Sequence, residues 1–120
     1  SRKDLVDQFP IPEDMLCWFF NHYFGTAWPI ADPRAIPALY EDDSGMPPTL
    51  IVTAGFDPFR DEGVEYAKRL AAAGVPVEYV CYQGTVHGFM NMGRMLRAAY
   101  QSMRQRMSTW LKEQLDAPGT

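Results

Sequence analysis

The sequence predicts an α/β fold, a partial parallel sheet of about two strands with flanking helices. Three observations carry that expectation. Thr49-Leu50-Ile51-Val52-Thr53-Ala54-Gly55 is a short apolar run rich in β-branched residues, the pattern of a strand buried on both faces of a parallel sheet. Asp61 to Ala73 then turns to helical periodicity, and Val75 to Tyr82 returns to a strand-like run. A strand-helix-strand unit of this length gives a parallel pair joined by a right-handed crossover.

Composition sets the frame for these elements. A chain of 120 residues, 47% hydrophobic and 22% charged, fits one globular domain. A domain of that size buries roughly two-thirds of its unfolded surface. The net charge of −4 is spread along the chain with no basic run, which leaves no footprint for a nucleic-acid partner. No apolar stretch approaches the roughly 18 residues of a membrane span, so a soluble protein is expected. Ser1-Arg2-Lys3-Asp4 is neither a signal peptide nor an initiator methionine, and fits a chain cut from something longer or one keeping a scar of its preparation. Cys17 and Cys81 form no CxxC pair and read as two buried thiols, which suits a reducing compartment and a cytoplasmic location. Residues 1–48 form an aromatic helix with a cover or loop region, and residues 49–120 a strand-helix-strand-helix unit.

In chain order, Phe9-Pro10-Ile11-Pro12 leads into the first helix, with Pro12 expected as its first helical residue. Met15, Leu16, Trp18, Phe19, Tyr23 and Phe24 recur at helical spacing as one broad aromatic face, and Gly25 stops the helix. A polar, proline-dotted stretch runs from Trp28 to Pro48, with a turn at Asp42-Asp43-Ser44-Gly45. A connection this long serves a site or a cover. In the second helix Glu62 and Glu65 suit the positive end of the dipole, Val64, Ala67, Leu70 and Ala71 form the buried stripe, and Gly74 is the left-handed cap. Pro76 must sit at the start of the second strand, because it cannot donate to a ladder. Gln83 to Phe89 reads as a loop. The last helix carries Met92, Leu96, Ala99, Met103, Met107, Trp110 and Leu111 on one stripe and ends near Leu115, before the tail Ala117-Pro118-Gly119-Thr120.

Two residues stand just past the carboxyl ends of the predicted strands: Asp57 and His87. Ligands of open parallel sheets bind at that edge. Neighbouring strands run about 5 Å apart, so an Asp on one loop can accept the Nδ1–H of a His on the next. That is the orienting half of a Ser-His-Asp triad. Against it, Asp57 before Pro58 is also an ordinary turn starter, and His87 can be a satisfied structural histidine. His22 on the aromatic helix reads as a surface or packing residue, Asp61 and Glu62 as helix-start residues, and the arginines of the last helix as a solvated face.

Pro47-Pro48-Thr49-Leu50-Ile51-Val52-Thr53-Ala54-Gly55-Phe56-Asp57-Pro58-Phe59-Arg60-Asp61-Glu62-Gly63 resembles the acid-bearing segment of the hormone-sensitive-lipase-like esterases, a strand followed by D-P-L-R-D-E-G. Gly84-Thr85-Val86-His87-Gly88-Phe89 resembles their histidine loop with its H-G-F ending. Asp32-Pro33-Arg34-Ala35-Ile36-Pro37 is similar to the family's D-P-R-A-S-P stretch, and Met15-Leu16-Cys17-Trp18-Phe19 to the aromatic helix before it. Phe59 replaces the usual Leu and Ile36 the usual Ser. The motifs follow the family's order over nearly the whole chain. The resemblance implies the C-terminal part of an α/β-hydrolase fold, Asp57 as triad acid and His87 as triad base. It also implies a small ester or lipid-like substrate and no metal or organic cofactor. Trp18, Phe19 and Phe89 would line an acyl pocket, or else belong to aromatic core.

The family's H-G-G-G oxyanion motif and G-D-S-A-G nucleophile elbow are not in this sequence. Its serines are Ser1, Ser44, Ser102 and Ser108, none with flanking glycines between a strand and a helix. The chain alone is therefore expected to be inactive. Two strands cannot complete a doubly wound sheet, so an apolar edge should pair with a missing N-terminal portion or drive homo-oligomerisation. The seven methionines suit an adaptable interface, although core packing explains them as well. Three rival readings remain at this stage. A non-catalytic binding module such as the gibberellin receptors lacks the histidine that is present here. A Rossmann or flavodoxin-like half needs a glycine-rich phosphate loop, and none follows the first strand. In a structural domain, Asp57 and His87 would be coincidental.

Overall fold

The computed structural model describes residues 11–25 and 31–117. The expectations for the amino-terminal residues through Pro10, for the start of the polar stretch at Trp28 and for the tail residues 118–120 lie outside them. Helix α1 spans Glu13–Phe24, strand β1 Thr49–Phe56, helix α2 Arg60–Ala72, strand β2 Val77–Val86 and helix α3 Arg97–Asp116, with 3₁₀ turns at Pro37–Leu39 and Phe89–Asn91. Pro12 sits just outside α1 as its N-cap, one position earlier than expected, while its carbonyl accepts from the Leu16 N–H. Gly25 ends α1 at φ +56°.

β1 and β2 pair in parallel as a two-stranded sheet, in register from Thr49↔Val77 to Ala54↔Tyr82. Each face of the sheet has its own helix. Gly63 of α2 lies against Thr53 and Ile51, so close that a Cβ there would come within 2.8 Å of Thr53 Cγ2. Alternation along the strand turns Val52 and Ala54 the other way. There Ala54, Phe89 and Met103 form the buried cluster, with Leu96, Ala99 and Tyr100 packed on it. The result is a narrow helix-sheet-helix sandwich.

α2 closes with paired bonds: Val75 N–H donates to the Leu70 carbonyl and Gly74 N–H, at φ +82°, to that of Ala71. This Schellman arrangement satisfies carbonyls the helix would leave free. Leu70 and Val75, on either side of it, are both buried. The turn at Asp42–Gly45 forms as expected, with Met46 N–H donating to Asp43 and Ser44 N–H to the Asp42 carboxylate. Arg69 then ties this segment to α2. Its guanidinium grips both oxygens of buried Asp43, at 2.6 and 3.0 Å, and donates to the carbonyls of Pro37 and Ala38.

Several expectations need correction. β1 is fully buried only over Thr53–Gly55, because β2 is its one partner among the described residues and its other edge is uncovered. Ala71 is exposed on α2, where Ala67 and Leu70 are buried. β2 runs on to Val86, so Gln83–Val86 is strand and not loop. α3 begins at Arg97, after a turn in which Gly93 packs against the Tyr100 ring. Met107 and Leu111 stay exposed beside Leu50 and Val52, because the outer edge of β1 has no further strand among the described residues to carry the sheet beneath them. Cys17 is exposed and Cys81 half-buried, both as free thiols; among the described residues nothing covers the α1 face that carries Cys17. No helix among the described residues is long and apolar enough to cross a membrane.

Candidate active site

Asp57 and His87 meet at the carboxyl ends of the two strands. His87 Nδ1 lies 2.8 Å from Asp57 Oδ2. A carboxylate only accepts, so the ring proton sits on Nδ1 and Nε2 is the nitrogen left to accept a proton. Asp57 is buried, while the His87 side chain is 38% exposed. The acid is thus inside and the base reaches the surface. The carboxylate is held from its other side too, because Oδ1 accepts the Phe59 N–H at 2.8 Å. Its own backbone carbonyl accepts the Arg60 N–H, closing the Asp57-Pro58-Phe59-Arg60 turn. The Phe59 ring stands edge-on to the imidazole with centroids 5.7 Å apart.

Two side chains that the sequence analysis left aside support this edge. Arg60 donates from a terminal guanidinium nitrogen to the Gly55 carbonyl, bracing the end of β1, and from Nε to Asp61. The Asp61 carboxylate holds the Arg60 guanidinium above its ordinary pKa. On the α2 face the Tyr79 hydroxyl pairs with Thr53 Oγ1 at 2.7 Å, and burial pushes that phenol above its ordinary pKa. No periodicity marks either contact, because each joins residues distant along the chain or acts through a backbone carbonyl.

The other predicted site residues scatter. Phe89 is buried under the sheet beside Tyr82 and belongs to the core. Trp18 and Phe19 are exposed on α1, and His22 stacks on Trp18 while its Nδ1 donates to the Trp18 carbonyl. Asp61 and Glu62 occupy the first turn of α2. Ser44 lies in its exposed turn; Ser102 and Ser108 are exposed on α3, and Ser102 is within hydrogen-bond reach of the Tyr82 hydroxyl. None of these serines lies at a strand-to-helix turn.

A family model described as the alpha/beta hydrolase fold matches residues 1–91. A carboxylic ester hydrolase of Mycobacterium tuberculosis, LipN, is 47% identical over 76 residues, covering 62% of this chain and 20% of the relative. An ethyl acetate hydrolase of Pseudomonas putida is 36% identical over 86 residues, covering 72% of this chain and 27% of the relative. The chain therefore spans about a fifth to a quarter of the length of these curated relatives. Among solved structures, an esterase of Pyrobaculum calidifontis superposes with a TM-score of 0.81 at 33% identity, over 90% of this chain and 36% of that one. Brefeldin A esterase, a bacterial homologue of human hormone-sensitive lipase, gives 0.81 at 30% identity, over 91% of this chain and 31% of its own.

Proposed function

The chain belongs to the α/β-hydrolase-fold family, among carboxylic ester hydrolases like hormone-sensitive lipase, and from that premise we propose that it supplies the acid and base of a serine esterase whose nucleophile lies elsewhere. One observation carries this reading: the 2.8 Å bond between Asp57 and His87 at the carboxyl ends of adjacent parallel strands. A serine hydroxyl on a neighbouring elbow attacks the ester carbonyl and passes its proton to His87 Nε2. Asp57 fixes the Nδ1–H tautomer and stabilises the imidazolium. The imidazolium then protonates the departing alcohol, and the acyl group is left on the serine. In the second half His87 takes a proton from water, the hydroxide attacks the acyl carbonyl, and His87 returns that proton to the departing serine oxygen as the acid is released.

The substrate class is a small or lipid-like ester. Trp18 and Phe19, exposed on α1, are two of the aromatic groups available to flank its acyl chain. The same reading makes the chain alone inactive, and gives the free edge of β1 to a strand of the longer protein. Hydrolysis of a short-chain p-nitrophenyl ester tests it. The chain by itself should show no turnover above its His87→Ala variant, while the longer protein should lose about 10⁶-fold in kcat with the same substitution. Turnover by the isolated chain that vanishes with His87→Ala would overturn the proposal.

A further inference from the structure

The acid and base are level only because β2 carries two extra residues. From Thr49↔Val77 to Ala54↔Tyr82, partners differ by 28 in number, but Phe56 faces Val86, a difference of 30. At the earlier offset Asp57 would stand level with Thr85. The irregularity moves His87 into that place. Such bulges re-aim a side chain at a strand end.

Two features hold the bulge. Gly55 is opposite it, and a Cβ there would lie 2.0 Å from the Gln83 carbonyl oxygen, so β1 admits the displaced backbone only through a glycine. Thr85 is 4% exposed, whereas Gln83 and Gly84 face solvent, and its Oγ1 donates to the Tyr82 carbonyl at 2.7 Å across the extra residues. Tyr82 is the last β2 residue in the regular register and Val86 the first after it. The hydroxyl therefore fastens the two ends of the irregular stretch together.

We infer that Thr85 is a positioning residue for His87: its hydroxyl, acting through the Tyr82 backbone, sets the height at which the imidazole meets Asp57. The inference rests on the acid–base reading above, and touches neither substrate nor nucleophile. Serine keeps the donor and loses only a methyl group. Valine keeps the shape and removes the donor, which leaves a buried acceptor without it.

The test is long-range ¹H–¹⁵N NMR of the full chain with His22→Gln as background, so that His87 alone reports its tautomer. Amide-exchange protection over Val77–Cys81 is read in parallel as a check that the strand persists. The wild-type background and Thr85→Ser should show the Nδ1–H pattern, and Thr85→Val should lose it while Val77–Cys81 stay protected. Should Thr85→Val lose protection throughout, Thr85→Ser decides: a protected Thr85→Ser chain that keeps the pattern supports the role, and one that loses it overturns it. Thr85→Val with the wild-type pattern overturns the positioning role and leaves the Asp57–His87 pair standing. A wild-type chain without the Nδ1–H pattern overturns the pair itself, and this inference with it.

Discussion

Helix α1 and the helix-sheet-helix sandwich are both rich in apolar side chains, yet they bury them to very different extents. In the sandwich, Leu70 is 0% exposed and Ala54, Phe89 and Met103 are nearly so. On α1 only Leu16 is buried, while Trp18 is 55% and Tyr23 82% exposed. Both segments have the periodicity of amphipathic structure, and the difference is whether a complementary surface is present. Apolar burial is a property of two surfaces, and an amphipathic face states its need for a partner without supplying one. The exposed side of α1, the exposed apolar side of α3 and the edge of β1 that is unpaired among the described residues are, on the proposed reading, surfaces for the rest of a longer protein.

Substitutions on the two sides should therefore differ in kind. After His87→Ala itself, the largest effect belongs to Asp57→Asn in the longer protein. Asn keeps the size of the side chain but reverses the tautomer of His87, and kcat should fall about 10⁴-fold in ester hydrolysis with little change in folding. A smaller loss than tenfold would separate Asp57 from the chemistry. Next comes Leu70→Ala, which empties a fully buried site between helix and sheet and should destabilise the chain by about 4 kcal/mol in urea unfolding. Arg69→Ala leaves Asp43 buried without its cation and frees the Pro37–Leu39 segment, for about 3 kcal/mol by the same measurement. Its effect should shrink in Asp43→Asn/Arg69→Ala, since the amide needs no counter-charge. At the far end, Trp18→Ser should shift the stability of this chain by no more than about 0.5 kcal/mol, because the indole covers little beyond its own helix. A cost near that of Leu70→Ala would mean that α1 docks on a surface its exposure does not reveal.

Much of this was legible in the sequence for physical reasons. The β-branched run before Asp57, and the Gly and Pro residues bounding each element, mark where backbone regularity starts and stops, so both strands and the meeting of Asp57 with His87 were readable. The end of β2 was not. Two extra residues at the bulge break the alternation from which a strand is recognised, and Gln83-Gly84 looks like a loop until Gly55 is seen opposite it. The grip of Arg69 on Asp43 joins residues 26 apart, one in an ordinary turn and one on an ordinary helix face, and no local pattern announces it. Cys17 failed for the opposite reason. Its apolar neighbours promised burial, but the surface that would bury it is not in the described residues. Local signals locate elements and their faces; partners come only from the fold.

On the proposed reading, this chain holds the base of a serine esterase and the nucleophile lies elsewhere. Covalent labelling with a fluorophosphonate probe, read by peptide mass spectrometry on the chain alone and on the longer protein, tests it most directly. No serine adduct is expected anywhere in residues 1–120, and a single adduct is expected on a serine outside them that disappears with His87→Ala. A His87-dependent adduct on Ser44, Ser102 or Ser108 would contradict it.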